Sequence, residues 1–110
     1  MKTCVLGCGR WGSFIAWYLN GLGFPVTVWG RKESGTFRAL SETRKNEYVT
    51  FPDSVALSDD LEKTVREAEV VVISIKSQGL RGLAEELSRF GLKDRIYILC
   101  MKGCLLYTSP

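Results

Sequence analysis

The sequence contains no histidine, which removes the most common metal ligand and the usual general base at neutral pH. Chemistry that depends on an imidazole cannot reside in this chain. No stretch approaches the roughly 18 consecutive apolar residues of a membrane span, and no charged segment followed by a long apolar one opens the chain as a secretory leader would. A large charge of either sign is also missing: 15 Lys plus Arg stand against 12 Asp plus Glu, a net of +3. The excess lies in residues 1–55, with seven basic and four acidic residues, while residues 56–110 balance at eight each. A nucleic-acid binder working through phosphate neutralisation needs a denser basic stripe, so the balance fits a small anionic ligand better than a duplex.

What is present is an ordinary globular composition, 45% hydrophobic and 25% charged over 110 residues. That is room for one domain and excludes disorder, collagen and coiled coil. Cys4, Cys8, Cys100 and Cys104 form two C-x3-C pairs. Cys4 falls in an apolar, strand-like run and Cys8 sits between two glycines, so buried or incidental thiols are expected rather than a metal site. Reduced thiols and the missing leader point to a cytoplasmic protein.

Hydrophobic patterning alternates between two periods. Thr3 to Leu6 is short and β-prone and runs into Gly7-Cys8-Gly9-Arg10-Trp11-Gly12, after which Phe14, Ile15, Tyr18, Leu19 and Leu22 recur at helical spacing. Gly21 and Gly23 stop that helix, and Phe24 to Trp29 reads as a second strand ending at Gly30-Arg31-Lys32, completing a βαβ unit of about 30 residues. Phe37 and Leu40 are spaced for a short helix within 33–46, with a weak strand near Val55 to Leu57. Ser58-Asp59-Asp60 caps a helix carrying Leu61, Val65 and Ala68 and ending near Glu69. Val70 to Ile75 is a β-branched run of the kind covered on both faces of a parallel sheet. Leu80, Leu83, Ala84 and Leu87 predict a further helix stopped by Gly91, and Arg95 to Met101 a last strand leading to Lys102-Gly103. The alternation predicts an α/β fold with a doubly wound parallel sheet, Rossmann-like, whose ligand lies at the carboxyl ends of the strands.

The glycine motif follows a strand, opens a helix and sits inside a βαβ unit, the context that makes it a dinucleotide-binding fingerprint instead of a bare glycine-rich turn. Gly7 allows the tight turn, Gly9 the approach of a pyrophosphate, and Gly12 close packing of helix on strand; the amides of Arg10 and Trp11 face the phosphates. The second strand usually ends in an Asp or Glu for the adenosine ribose, whereas Arg31 and Lys32 stand here. Basic groups pair with a 2′-phosphate, which favours NADPH over NADH, unless the two are simply solvated charges; Glu33, one residue on, keeps NAD in play. Trp17 and Trp29 fall on apolar faces and read as core, while Trp11 lies in the glycine loop. Lys102 closes a strand at the cofactor edge, where it meets phosphate or a substrate oxygen, or is a surface lysine. Ser77-Gln78 shares that edge and is equally well explained as loop capping.

In this order the pieces resemble the N-terminal domain of the bacterial-type NAD(P)-dependent glycerol-3-phosphate dehydrogenases. The resemblance runs from Met1 to Gly103 and rests on Val5 to Gly12, Val26 to Arg31, Val71 to Gln78 with Leu80-Arg81, and Met101-Lys102-Gly103. It implies reversible reduction of dihydroxyacetone phosphate to sn-glycerol 3-phosphate by hydride from NAD(P)H, feeding phospholipid synthesis. Carried over position by position, it makes Arg10, Trp11, Arg31, Lys32 and, less directly, Tyr48 cofactor contacts, and Lys102 a contact to both cofactor and substrate. Where Arg10 stands the family usually has a small residue such as serine, and where Lys76 stands often proline. The family's catalytic lysine, the proton donor to the carbonyl, belongs to a helical substrate domain that is missing from these residues, so no catalytic residue and no metal ligand is expected in this chain. Residues 1–103 are thus expected to be an incomplete cofactor-binding domain and residues 104–110 a non-native tail, the whole inactive alone, with room for a homodimer in the full-length enzyme. The competing readings are a stand-alone nucleotide-binding module, or part of another two-domain NAD(P) reductase such as a ketopantoate or pyrroline-carboxylate reductase.

Overall fold

The computed structural model describes residues 2–45, 49–75, 77–91, 95–101 and 105–109. Ten elements follow one another as β1 (Thr3–Leu6), α1 (Arg10–Gly21), β2 (Val26–Trp29), α2 (Gly35–Thr43), β3 (Val55–Ser58), α3 (Leu61–Arg66), β4 (Val70–Ile73), α4 (Ser77–Arg89), β5 (Ile96–Met101) and β6 (Leu105–Ser109). They form one sheet in the order β3-β2-β1-β4-β5-β6. The first five strands are parallel, and their register lines up Ser58, Trp29, Leu6, Ile73 and Leu99 across the carboxyl edge. β1 lies in the middle, with the chain passing first to β2 and β3 on one side and then to β4 and β5 on the other. That reversal is where an open α/β sheet binds its ligand, and the glycine loop leaves β1 there.

β1 and β4 are buried along their whole length, as continuous apolar runs should be when helices cover both faces. On one face Val5, Val26, Val28, Val55 and Val72 pack with Ala16 of α1, Phe37 and Leu40 of α2, and Phe51. On the other, Cys4, Leu6, Trp29, Val71 and Ile73 pack with Val65 of α3 and Leu83 of α4. The expected cap of α3 forms, Asp60 accepting from the Lys63 amide at 3.1 Å, and Ser34, not foreseen as a cap, accepts from the Phe37 amide at 3.3 Å at the start of α2.

Two elements depart from the pattern read in the sequence. Phe14, Trp17 and Tyr18 of the first helix, and Leu22 just after it, are exposed at 46, 45, 53 and 58%, so Trp17 is not a core residue as expected, whereas Trp29 is. The side of α1 that meets the sheet is made of Gly12, Ser13 and Ala16, all buried, with Ile15 and Leu19 half-buried against the core. Small residues let the helix approach the strands closely, and the large rings turn outward, where Phe14 lies 6.1 Å from Trp17 and 6.3 Å from Tyr18 between ring centroids. The second departure is β6, drawn from residues set apart as a tail. It runs antiparallel to β5, pairing Met101 with Leu105 through Tyr97 with Ser109; an antiparallel strand capping the edge of a parallel sheet is a common way to cover its open backbone groups.

Candidate functional site

Backbone hydrogen bonds join the strand ends around the loop from Gly7 to Gly12. The Gly7 amide donates to the Trp29 carbonyl at 2.9 Å, the Ser74 amide donates to the Leu6 carbonyl at 2.9 Å, and the Gly30 amide donates to the Ser58 carbonyl at 3.2 Å. Inside the loop the Ser13 amide donates to Gly9 at 2.9 Å, and the buried Ser13 hydroxyl to the Cys8 carbonyl, also at 2.9 Å. The hydroxyl thus ties the start of the helix back to the turn.

The three motif glycines are required for different reasons. Gly7 has φ +118°, and a side chain there would collide with the Ser74 carbonyl, whose carbon is 2.9 Å from the Cβ position. Gly12 would drive a Cβ into the carbonyl of Gly7, so helix and turn touch backbone to backbone. Around Gly9 nothing stands within 4 Å of a Cβ. The protein itself therefore places no packing demand on Gly9, and the space over it is open.

Gly9 is also the N-cap of α1, makes no side-chain capping bond, and precedes a first turn without acidic residues. The free amides of a helix start carry partial positive charge and attract anions. Open space at the middle glycine, with no side-chain cap and no acidic residue in the first turn, fits a pyrophosphate. The backbone of Arg10 belongs to this first turn, and Trp11 is exposed at 52% beside it; the Arg10 side chain lies outside the described residues.

At the end of β2, Arg31 and Lys32 are exposed at the same edge. Arg31 leans over the buried Trp29 ring, its guanidinium carbon 5.2 Å from the centroid, and its Nη2 meets a carboxylate oxygen of Glu86 on α4 at 3.1 Å. The structure thus brings Gly7, Gly9, Gly12, Trp11, Arg31 and Lys32 to one edge. Tyr48, Lys76 and Lys102 lie outside the described residues, as do the side chains of Ser77 and Gln78.

Three participants were not visible in the sequence reading. Ser74 supplies the carbonyl against which Gly7 is packed. Gly30 abuts the ring of Phe37, whose Cβ lies 2.8 Å from where its own Cβ would stand; a glycine directly after a strand that ends in tryptophan was the available signal. Glu86 is 55 residues from Arg31, and no local pattern could have paired them.

Two of the cysteines lie in the core. Cys4 and Cys8 are buried free thiols; burial pushes the Cys4 thiol up to about 12, partly opposed by the charge of Arg95, and raises that of Cys8 as well. Among the described residues no three His, Cys, Asp or Glu side chains gather as a metal site would require, and no helix is long and apolar enough to cross a membrane.

A parallel sheet reversing at β1, with a glycine turn leading into a helix at that point, defines a dinucleotide-binding domain of the Rossmann type. Residues 2–109 match the family described as NAD-dependent glycerol-3-phosphate dehydrogenase N-terminus, and the chain belongs to that family. It is 36% identical over 106 residues to the glycerol-3-phosphate dehydrogenase [NAD(P)+] of Thermoanaerobacter sp. (strain X514), covering 94% of this chain and 32% of the relative. Among solved structures, the glycerol-3-phosphate dehydrogenase of Coxiella burnetii superposes with a TM-score of 0.82 at 20% identity over 93% of this chain and 32% of that one. That of Saccharomyces cerevisiae does so at 0.76 and 26% identity, over 94% and 34%. The chain spans about a third of the length of the curated relatives it matches.

Proposed function

We propose that this chain is the NAD(P)-binding part of an sn-glycerol-3-phosphate dehydrogenase. In this reading residues 1–103 make up the cofactor-binding unit. The observation that carries it is the open space over Gly9, at the uncapped start of α1, between two glycines that the fold itself requires. The bound nicotinamide cofactor supplies the hydride that converts dihydroxyacetone phosphate to sn-glycerol 3-phosphate, in service of phospholipid synthesis in the cytoplasm.

The chain's own residues bind and orient. The amides of Arg10 and Trp11 hold the pyrophosphate, while Arg31 and Lys32 hold a 2′-phosphate and so favour NADPH while NADH is still accepted. Tyr48 adds a cofactor contact, and Lys102 meets both cofactor and substrate. The lysine that protonates the carbonyl comes from residues beyond this chain, so the chain alone binds without turning over, and the complete enzyme pairs as a homodimer.

Titration of NADPH and NADH against the purified protein tests this. Both dinucleotides should bind, NADPH more tightly, and Gly9→Ala should lose both. A folded protein that binds neither would overturn the reading.

A further inference from the structure

Arg31 does not stand free at the edge of the sheet. Its guanidinium lies 5.2 Å above the centre of the Trp29 ring, and one of its N–H groups donates to Glu86 at 3.1 Å. Trp29 is 4% exposed, and its indole nitrogen is buried with no hydrogen-bond partner among the described residues; the ring is an apolar platform packed within the core. Glu86 stands on α4 beside residues of the same core cluster. It follows the fully buried Leu83 by three positions and precedes Leu87, and both leucines pack in the same cluster as Trp29. The tryptophan under the arginine and the helix under the glutamate therefore belong to one packed unit, and the ion pair is built across it.

Both side chains remain accessible, at 52% for Arg31 and 37% for Glu86. The contact is a single N–H to oxygen bond, which leaves the guanidinium other donors for an incoming phosphate. A phosphate held by those donors would sit within a few ångströms of the Glu86 carboxylate, where like charges repel. Lys32 makes no ion pair among the described residues, so the opposition falls on Arg31 alone. A ribose hydroxyl, being neutral, would feel no such opposition.

We infer that Glu86 is a specificity-determining residue that opposes the 2′-phosphate at Arg31, keeping the preference for NADPH shallow and leaving NADH as a usable cofactor. This rests on the reading of Arg31 as the 2′-phosphate cation. The lever is local in this reading, because the pyrophosphate common to both dinucleotides is assigned to the amides at the start of α1 and not to Arg31.

The test is a double-mutant cycle on the purified protein, with NADPH and NADH titrated by quenching of tryptophan emission against the parent, Glu86→Gln, Arg31→Ala and the double variant. All three should melt like the parent, since the side chains changed are exposed. Glu86→Gln should tighten NADPH by about 3- to 10-fold and leave NADH within about 2-fold, as expected for removing one nearby charge in a partly screened setting. In the Arg31→Ala background the same change should do nothing, and 0.5 M salt should shrink the gain. If Arg31→Ala lowers the NADPH to NADH preference but Glu86→Gln leaves it unchanged, or weakens NADPH, the role of Glu86 is overturned while that of Arg31 stands. If Arg31→Ala leaves the preference unchanged, the reading of Arg31 itself falls.

Discussion

The carbonyl group of Gly7 occupies the space that a side chain on Gly12 would need, its carbon 3.0 Å from where that Cβ would stand. The first turn of α1 is thus seated directly on the backbone of the turn that precedes it. This contact sets where the helix begins and where its free amides point, so the geometry offered to a ligand follows from a packing requirement between two glycines. Gly9, lying between them, is left without any such requirement.

Substituting these glycines should separate folding from binding. Gly12→Ala must push helix and turn apart and is expected to cost about 2–4 kcal/mol. Gly9→Ala meets nothing within 4 Å and should cost about 1 kcal/mol or less, yet its methyl group would stand where the pyrophosphate is expected and weaken dinucleotide binding at least about tenfold. Urea denaturation read beside an NADPH titration checks both. Equal losses of stability in the two variants would contradict the geometry.

The two tryptophans that the sequence pattern placed together in the core should respond oppositely. Trp29→Ala empties a packed site shared with Leu6, Val71 and Leu83 and should cost about 3–5 kcal/mol. Trp17→Ala, at a residue 45% exposed, should cost less than about 1 kcal/mol. Trp29→Phe removes a buried N–H that has no partner among the described residues along with some packing area, and these opposed effects should leave stability within about 1 kcal/mol of the parent. Thermal melts of the three variants decide the matter.

That contrast shows where the sequence was legible. Strands β1, β2 and β4 were plain because a buried parallel strand needs an unbroken apolar run, and Val70 to Ile73 or Thr3 to Leu6 can hardly be anything else. The glycine loop was plain because its turn and its helix contact each demand glycine, and because the motif follows a strand and opens a helix. The seating of α1 was not, since hydrophobic periodicity follows the largest apolar residues while close packing on a sheet selected Gly12, Ser13 and Ala16. The cysteine readings came from neighbouring residues, and Cys4 and Cys8 are buried as those neighbours implied. The partnership of Arg31 and Glu86 was invisible, because it depends on α4 crossing to the side of Trp29, a consequence of tertiary packing alone. Strand β6 likewise depends on the open edge that β5 presents.

A leucine pair calibrates the second face of the sheet. Leu83 is fully buried, whereas Leu22 is 58% exposed. Leu83→Ala should therefore cost about 2–5 kcal/mol, and Leu22→Ala less than about 0.5 kcal/mol. Because Leu83 also fixes the helix that carries Glu86, its truncation should loosen the Arg31 ion pair and raise NADPH affinity relative to NADH among molecules that remain folded. A truncation that costs as little as that of Leu22 would mean that α4 is not held on this face.

Stability at high pH should report on Cys4. Its thiol is held up to about 12 from an ordinary 9.0, chiefly because burial penalises the thiolate, with Arg95 pulling the other way. In the unfolded chain the same thiol loses its proton near the ordinary value. Below that pH both states carry the proton and the stabilisation from the neutral buried thiol is complete. Above it the unfolded state gains by ionising while the folded state cannot, so stability falls as pH rises from about 9 towards 12, at most by about 1.4 kcal/mol per pH unit. Cys4→Ala removes this dependence and leaves every other ionisable group in place. The stability difference between parent and Cys4→Ala, measured by urea denaturation at pH 8, 9.5 and 11, should therefore shift steadily against the parent. A difference that stays constant over that range would show that the Cys4 thiol ionises as readily in the folded protein as in the unfolded chain, and that the centre of β1 is not sealed from water.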